Sequence, residues 1–120
     1  MHSFSFEKLN VWQDSRTLTK NIYLLTKKFP QEEKFGLTNQ LRRAAVSVSS
    51  NIAEGSSRTS IKDQAYFYQL AYSSLMEVLN QLIISVDLEY LDKKYYTEIR
   101  EKVEKIANML NALRKKRLKS

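Results

Sequence analysis

An all-α fold, an antiparallel up-down four-helix bundle, is the expectation for this chain, and three observations predict it. Apolar side chains recur at helical spacing along most of the length, and alternating strand-type runs of Val, Ile and Thr are missing. In addition, the 120 residues hold only two glycines and one proline. Few turns are available, and short turns between amphipathic helices leave sequential neighbours antiparallel. With 42% hydrophobic side chains, the length suits one domain around one core.

The first helix is read from about Lys8 to Lys28, where Val11, Leu18, Ile22 and Leu25 recur near a spacing of 3.6 and Leu9 and Trp12 mark the start. Proline pushes the residue before it away from helical angles, so Phe29-Pro30 ends this helix and residues 29–34 lead to Gly36. The second helix, about 37–54, places Leu37, Leu41, Ala44, Ala45, Val48 and Ile52 on one face. Side chains between Arg43 and Ile52 are small enough for close approach by neighbours. Gly55 is expected to stop this helix, because glycine accepts the left-handed backbone of a C-terminal cap.

Ser60 and Asp63 resemble a capping box that opens the third helix, about 60–88. Its stripe of Ile61, Ala65, Tyr68, Tyr72, Leu75, Leu79, Leu82, Ile83 and Val86 is accompanied by a second one, Phe67, Ala71, Ser74 and Val78. Burial on two sides follows, and Tyr66 is left facing elsewhere. Asp92 is the expected N-cap of a fourth helix, about 92–117, whose seam of Ile99, Val103, Ile106, Leu110 and Leu113 alternates in steps of four and three.

Composition narrows the chemistry. Without cysteine there is no disulfide or thiolate site, and with His2 as the single histidine neither a zinc site nor a His-based triad assembles within one subunit. No cofactor or metal is expected. There is no apolar run of roughly 20 residues for a membrane span, and Glu7, Lys8 and Asn10 interrupt any signal-peptide core. A soluble, cytoplasmic protein that does not engage membranes is the expectation.

The net charge of +7 is unevenly placed, since Arg114, Lys115, Lys116, Arg117 and Lys119 supply five of those charges within a basic tail over 114–120. Such a cluster suits a polyanion, although cations in a last helical turn also complement the helix dipole. Arg42, about 100° around the helix from Arg43, is read as facing outward and joins the tail as a candidate nucleic-acid contact. Its other reading is an ordinary surface charge.

Gln40, Arg43, Ser47, Asn51 and Glu54 fall on one polar stripe, with Glu77 and Gln81 of the third helix as possible additions. The stripe holds no nucleophile paired with a base, so it is read as a structural polar network or a subunit interface. No catalytic residue is assigned, and the protein is not expected to be an enzyme.

These residues carry a resemblance. Phe6-Glu7-Lys8-Leu9, Val11-Trp12-Gln13, Phe29-Pro30, Phe35-Gly36-Leu37, Gln40-Leu41-Arg42-Arg43-Ala44-Ala45, Ser47-Val48, Asn51-Ile52-Ala53-Glu54-Gly55, Ser74-Leu75 with Glu77, and Gln81-Leu82 look like the small four-helix-bundle family of 23S rRNA intervening-sequence proteins. The resemblance runs to about Leu91. It implies assembly into a ring-like homopentamer in an RNA-linked context, and similarity to the accessory protein of diversity-generating retroelements, which binds a reverse transcriptase and nucleic acid. The expected function is a non-enzymatic oligomeric bundle that binds RNA or other nucleic acid through basic surfaces. The alternative is a protein-interaction scaffold or an accessory subunit for a nucleic-acid enzyme such as a reverse transcriptase.

Overall fold

A computed structural model describes the backbone of residues 1–119 and the side chains of residues 1–117. It contains four helices, α1 (Asn10–Thr26), α2 (Leu37–Ser57), α3 (Ile61–Asp87) and α4 (Lys93–Lys119), with 3₁₀ turns at Ser5–Lys8 and Gln31–Glu33. No strand occurs among the described residues. Each helix packs against two others, in the order α1, α2, α3, α4 around the bundle.

Contacts across the seams fix the directions. Along α2 and α3, Gly55 meets Tyr68, Ser47 meets Ser74 and Gln40 meets Gln81, so the two helices run antiparallel. The same opposition holds where Thr19 and Thr26 of α1 meet Ala45 and Arg42 of α2, and where Tyr68 and Tyr72 of α3 meet Arg117 and Arg114 of α4. The molecule measures 45 × 30 × 21 Å.

The apolar stripes converge on one core that contains Leu18, Ile22, Leu41, Val48, Ile52, Tyr68, Leu75, Val78, Leu82, Ile99, Val103, Ile106 and Leu110. Emptying any one large site here, as in Leu75→Ala, removes about 2–5 kcal/mol through reduced burial and the cavity left behind. Three hydroxyls lie among these side chains without orphaning a proton. Ser15, Thr26 and Ser85 each donate to the carbonyl one turn earlier, at 2.7 Å in every case.

Helix ends differ from expectation at several places. Gly55 does not stop α2, which continues to Ser57. Gly55 has no positive φ and is buried against α3, where a Cβ would lie 2.8 Å from Tyr68 Cε1 and 3.1 Å from Phe67 Cβ. The glycine is needed for close approach, not for a turn. A 3₁₀ turn replaces the expected start of α1, and α1 closes at Thr26, two residues short of Lys28. Glu89, with φ of 63°, takes the left-handed position after α3. Tyr90 N–H then donates to Ser85 O and Glu89 N–H to Val86 O, a Schellman closure built without glycine.

The expected N-caps are present. Ser60 Oγ accepts from Asp63 N at 3.0 Å, and Asp92 Oδ1 from Tyr95 N at 2.7 Å. Gly36, which has no side chain to cap α2, is served by Glu33, whose Oε1 accepts from Leu37 N at 3.1 Å. The other Glu33 oxygen accepts from the Tyr90 hydroxyl at 3.0 Å, so one carboxylate ties the α1–α2 connection to the α3–α4 connection.

Candidate nucleic-acid interface

Antiparallel packing brings three separate stretches of sequence to one end of the bundle: the N-terminal arm, the α2–α3 connection, and the last turns of α4. Ser5 and Ser56 touch there through their hydroxyls at 3.2 Å, and Leu9 and Val11 line a groove with Met109, Leu113 and Lys116. Segments 1–8, 54–63 and 114–117 bear Lys8, Arg58, Lys62, Arg114, Lys115, Lys116 and Arg117, against Glu7, Glu54 and Asp63. At the opposite end, segments 27–34 and 87–94 balance five basic residues against five acidic ones. The bundle therefore has an electropositive pole and a neutral one.

The basic tail continues α4, and its helical geometry sorts the side chains. Arg114 sits over the Tyr72 ring, 5.7 Å from its centroid, and donates to Asn111 Oδ1 at 3.0 Å. Arg117 reaches the Tyr68 hydroxyl from the same helix face. Burial pushes the Tyr68 phenol above its ordinary pKa of 10.0, and the charge and hydrogen bond of Arg117 draw it part of the way back. Lys115 and Lys116 are exposed, Lys116 at the groove it lines with Leu9 and Val11. The Lys119 side chain lies outside the described residues.

The helical wheel reads Arg42 as facing outward, but in the structure it is held against α1. Its Nε donates to Thr26 Oγ1 at 2.9 Å, and its guanidinium lies 4.7 Å from the centre of the Tyr23 ring. The reason is that position 42 falls on the flank of α2 covered by α1. Arg43 is the exposed member of the pair.

The polar stripe on α2 breaks into separate groups instead of converging. Ser47 Oγ meets Ser74 Oγ at 2.9 Å and Asn51 Nδ2 donates to Ser47 O at 2.9 Å, while Gln81 Nε2 reaches Gln40 Oε1 at 3.4 Å. Glu54 pairs with Arg58 at 3.1 Å on the surface. Among the described residues no hydrogen bond or ion pair joins Arg43 or Glu77 to the others, and both are exposed. Sequence reasoning missed Arg58 and Lys62. Neither belongs to a run of like charge, and the signal that finds them is topological, since an antiparallel hairpin sets the start of α3 beside the end of α4.

Among the described residues no group of three His, Asp or Glu side chains is placed to hold a metal ion, and no helix is long and apolar enough to cross a membrane. A groove of about 410 Å³ between α1 and α4 is lined by Leu24, Lys27, Lys28, Tyr90, Leu91 and Tyr95, among others, at the neutral pole.

Fold and surface together define a small all-α bundle protein with one electropositive pole. The chain belongs to the family described as 23S rRNA-intervening sequence protein, whose model matches residues 7–112. A solved structure of a protein of unknown function from the S23 ribosomal protein family of Bacteroides thetaiotaomicron is similar to it in fold. The two share 21% identity at a TM-score of 0.79, over 88% of this chain and 98% of that one. Among curated proteins, none matches.

Proposed function

We propose that the protein is a non-enzymatic, homo-oligomeric helical bundle that binds RNA or another nucleic acid through its basic end. The observation that carries this reading is the segregation of charge, with seven basic side chains against three acidic ones at one end and five against five at the other. A phosphate backbone is drawn to such a pole and releases counterions as it binds, so affinity is led by charge and shape and falls with salt. The rRNA link in the family's description supports an RNA context. Assembly into a ring-like pentamer, as the resemblance implies, would repeat the pole five times and add weak contacts through effective concentration. The exposed Arg43 and Glu77 are available to a neighbouring copy, which supports the interface reading of the polar stripe. A cytoplasmic site of action fits the composition.

Two double variants with the same change of charge test the basic end. Replacing Lys62 and Lys115 by Gln is expected to weaken RNA binding and flatten its log–log salt dependence by about 0.7 for each phosphate no longer engaged. The same exchange at Lys27 and Lys28 is expected to leave both nearly unchanged. Equal effects of the two pairs would reduce the pole to a net-charge effect and defeat the proposal. Native mass spectrometry addresses assembly, since a strictly monomeric species at micromolar concentration contradicts the ring.

The scaffold reading draws on a different observation. Near the neutral pole Phe35 is 87% exposed, and Ile84 and Leu88 are also exposed large apolar side chains. Such side chains suit a protein partner, an accessory role beside a reverse transcriptase being one form of it. Partners retained on the protein after nuclease treatment of a lysate would favour this reading.

A further inference from the structure

The electropositive pole carries more than charge. On the first turns of α3, Tyr66 is 58% exposed, and its ring stands edge-on to Phe67 with centroids 5.5 Å apart. The Arg58 guanidinium lies 4.4 Å from the Phe67 centroid and is also paired with Glu54 at 3.1 Å. Lys62 is exposed one turn before Tyr66 on the same helix face. Arg58, Phe67 and Tyr66 thus form a continuous ledge in which the half-buried Phe67 touches both the exposed Tyr66 ring and the Arg58 guanidinium, with Lys62 one turn before Tyr66.

Resting on the RNA-binding reading above, we propose that this ledge selects single-stranded RNA, with an unpaired base stacked on Tyr66 and its flanking phosphates held by Arg58 and Lys62. A duplex keeps its base faces covered, so a ring that stands out from a helix surface has nothing to stack on there. An unpaired base offers a free face of any sequence, and stacking against an aromatic side chain is tolerant of base identity. Burying an aromatic ring in the core would have served stability, whereas the Tyr66 side chain stays more than half exposed, next to the Phe67 ring that carries Arg58. The net positive charge of the pole supplies the complementarity that brings the strand to the ledge.

The test compares a labelled 12-nucleotide RNA of mixed sequence with the same strand annealed to its complement, by fluorescence anisotropy on the full chain. The wild-type protein is expected to bind the single strand more tightly. Tyr66→Ala is expected to weaken single-strand binding about tenfold, a loss of about 1.4 kcal/mol, with duplex affinity and salt slope unchanged. Tyr66→Trp should keep the preference, and Lys62→Gln should lower the salt slope by about 0.7. Because Tyr66 is exposed, thermal melts of its variants should match the wild type. If the wild type binds RNA and Tyr66→Ala leaves the single-strand affinity intact, or weakens both forms equally, the ledge is overturned and the basic-end reading stands. If the wild type binds neither form at low salt, both fall.

Discussion

Two positions show how much a single residue decides in this bundle. Helix propensity alone predicts that Gly55→Ala stabilises α2 by about 1 kcal/mol. The Tyr68 ring at 2.8 Å predicts the reverse, since overpacking a closed site costs about 1–3 kcal/mol. We expect packing to win, with a net loss of about 1 kcal/mol seen as a lower urea midpoint; a higher midpoint would mean that the ring yields cheaply. Glu89 is the opposite case, because the left-handed backbone costs a side-chain-bearing residue about 1 kcal/mol that glycine avoids. Glu89→Gly should raise the midpoint by a comparable amount. Neither site was legible in the sequence. Gly55 carries the usual mark of a helix stop and is a packing residue, while the true left-handed position is occupied by a glutamate that gives no signal.

Among the elements, the helices were legible because each needs an apolar stripe and the stripes are regular. The connections were less so, because the residues that fasten them are far apart in sequence. Glu33 and Tyr90 illustrate this: their hydrogen bond joins two loops and raises the Tyr90 pKa from its ordinary 10.0, the hydrogen bond first and burial and nearby carboxylates after it. A phenol whose pKa is higher in the folded state contributes stability that is complete below about pH 10 and is lost as the pH rises through the folded value. Thermal melts from pH 8 to 11 should therefore show a fall at the alkaline end. In Tyr90→Phe the fall should be shallower, from a lower starting stability at pH 8, and an unchanged slope would count against the clip. Tyr68, shifted in the same direction by burial, contributes to the fall that remains.

For the whole molecule, the fold class and the stretch of sequence bearing most of the charge could be read from the chain, but the basic pole could not. In the sequence the tail is a run of like charge on the last turn of a helix, and in the fold α4 lays Arg114 and Arg117 on Tyr72 and Tyr68. Deleting residues 114–120 is therefore expected to cost stability, by about 2 kcal/mol, as well as any binding. Lys115→Gln should leave the melting temperature within a degree or two, so a truncation that melts like the wild type would show that these contacts are idle. Arg58 and Lys62 join the pole only because the chain doubles back, a relation that local pattern does not encode. The same doubling back gives Gly55 a reach beyond its own neighbours. The missing methyl on α2 seats the Tyr68 ring of α3, and the phenol at the far end of that ring meets a guanidinium on α4. Three helices are thereby registered against one another through a single vacancy, and a substitution made deep in the interior would be felt by a cation at the surface.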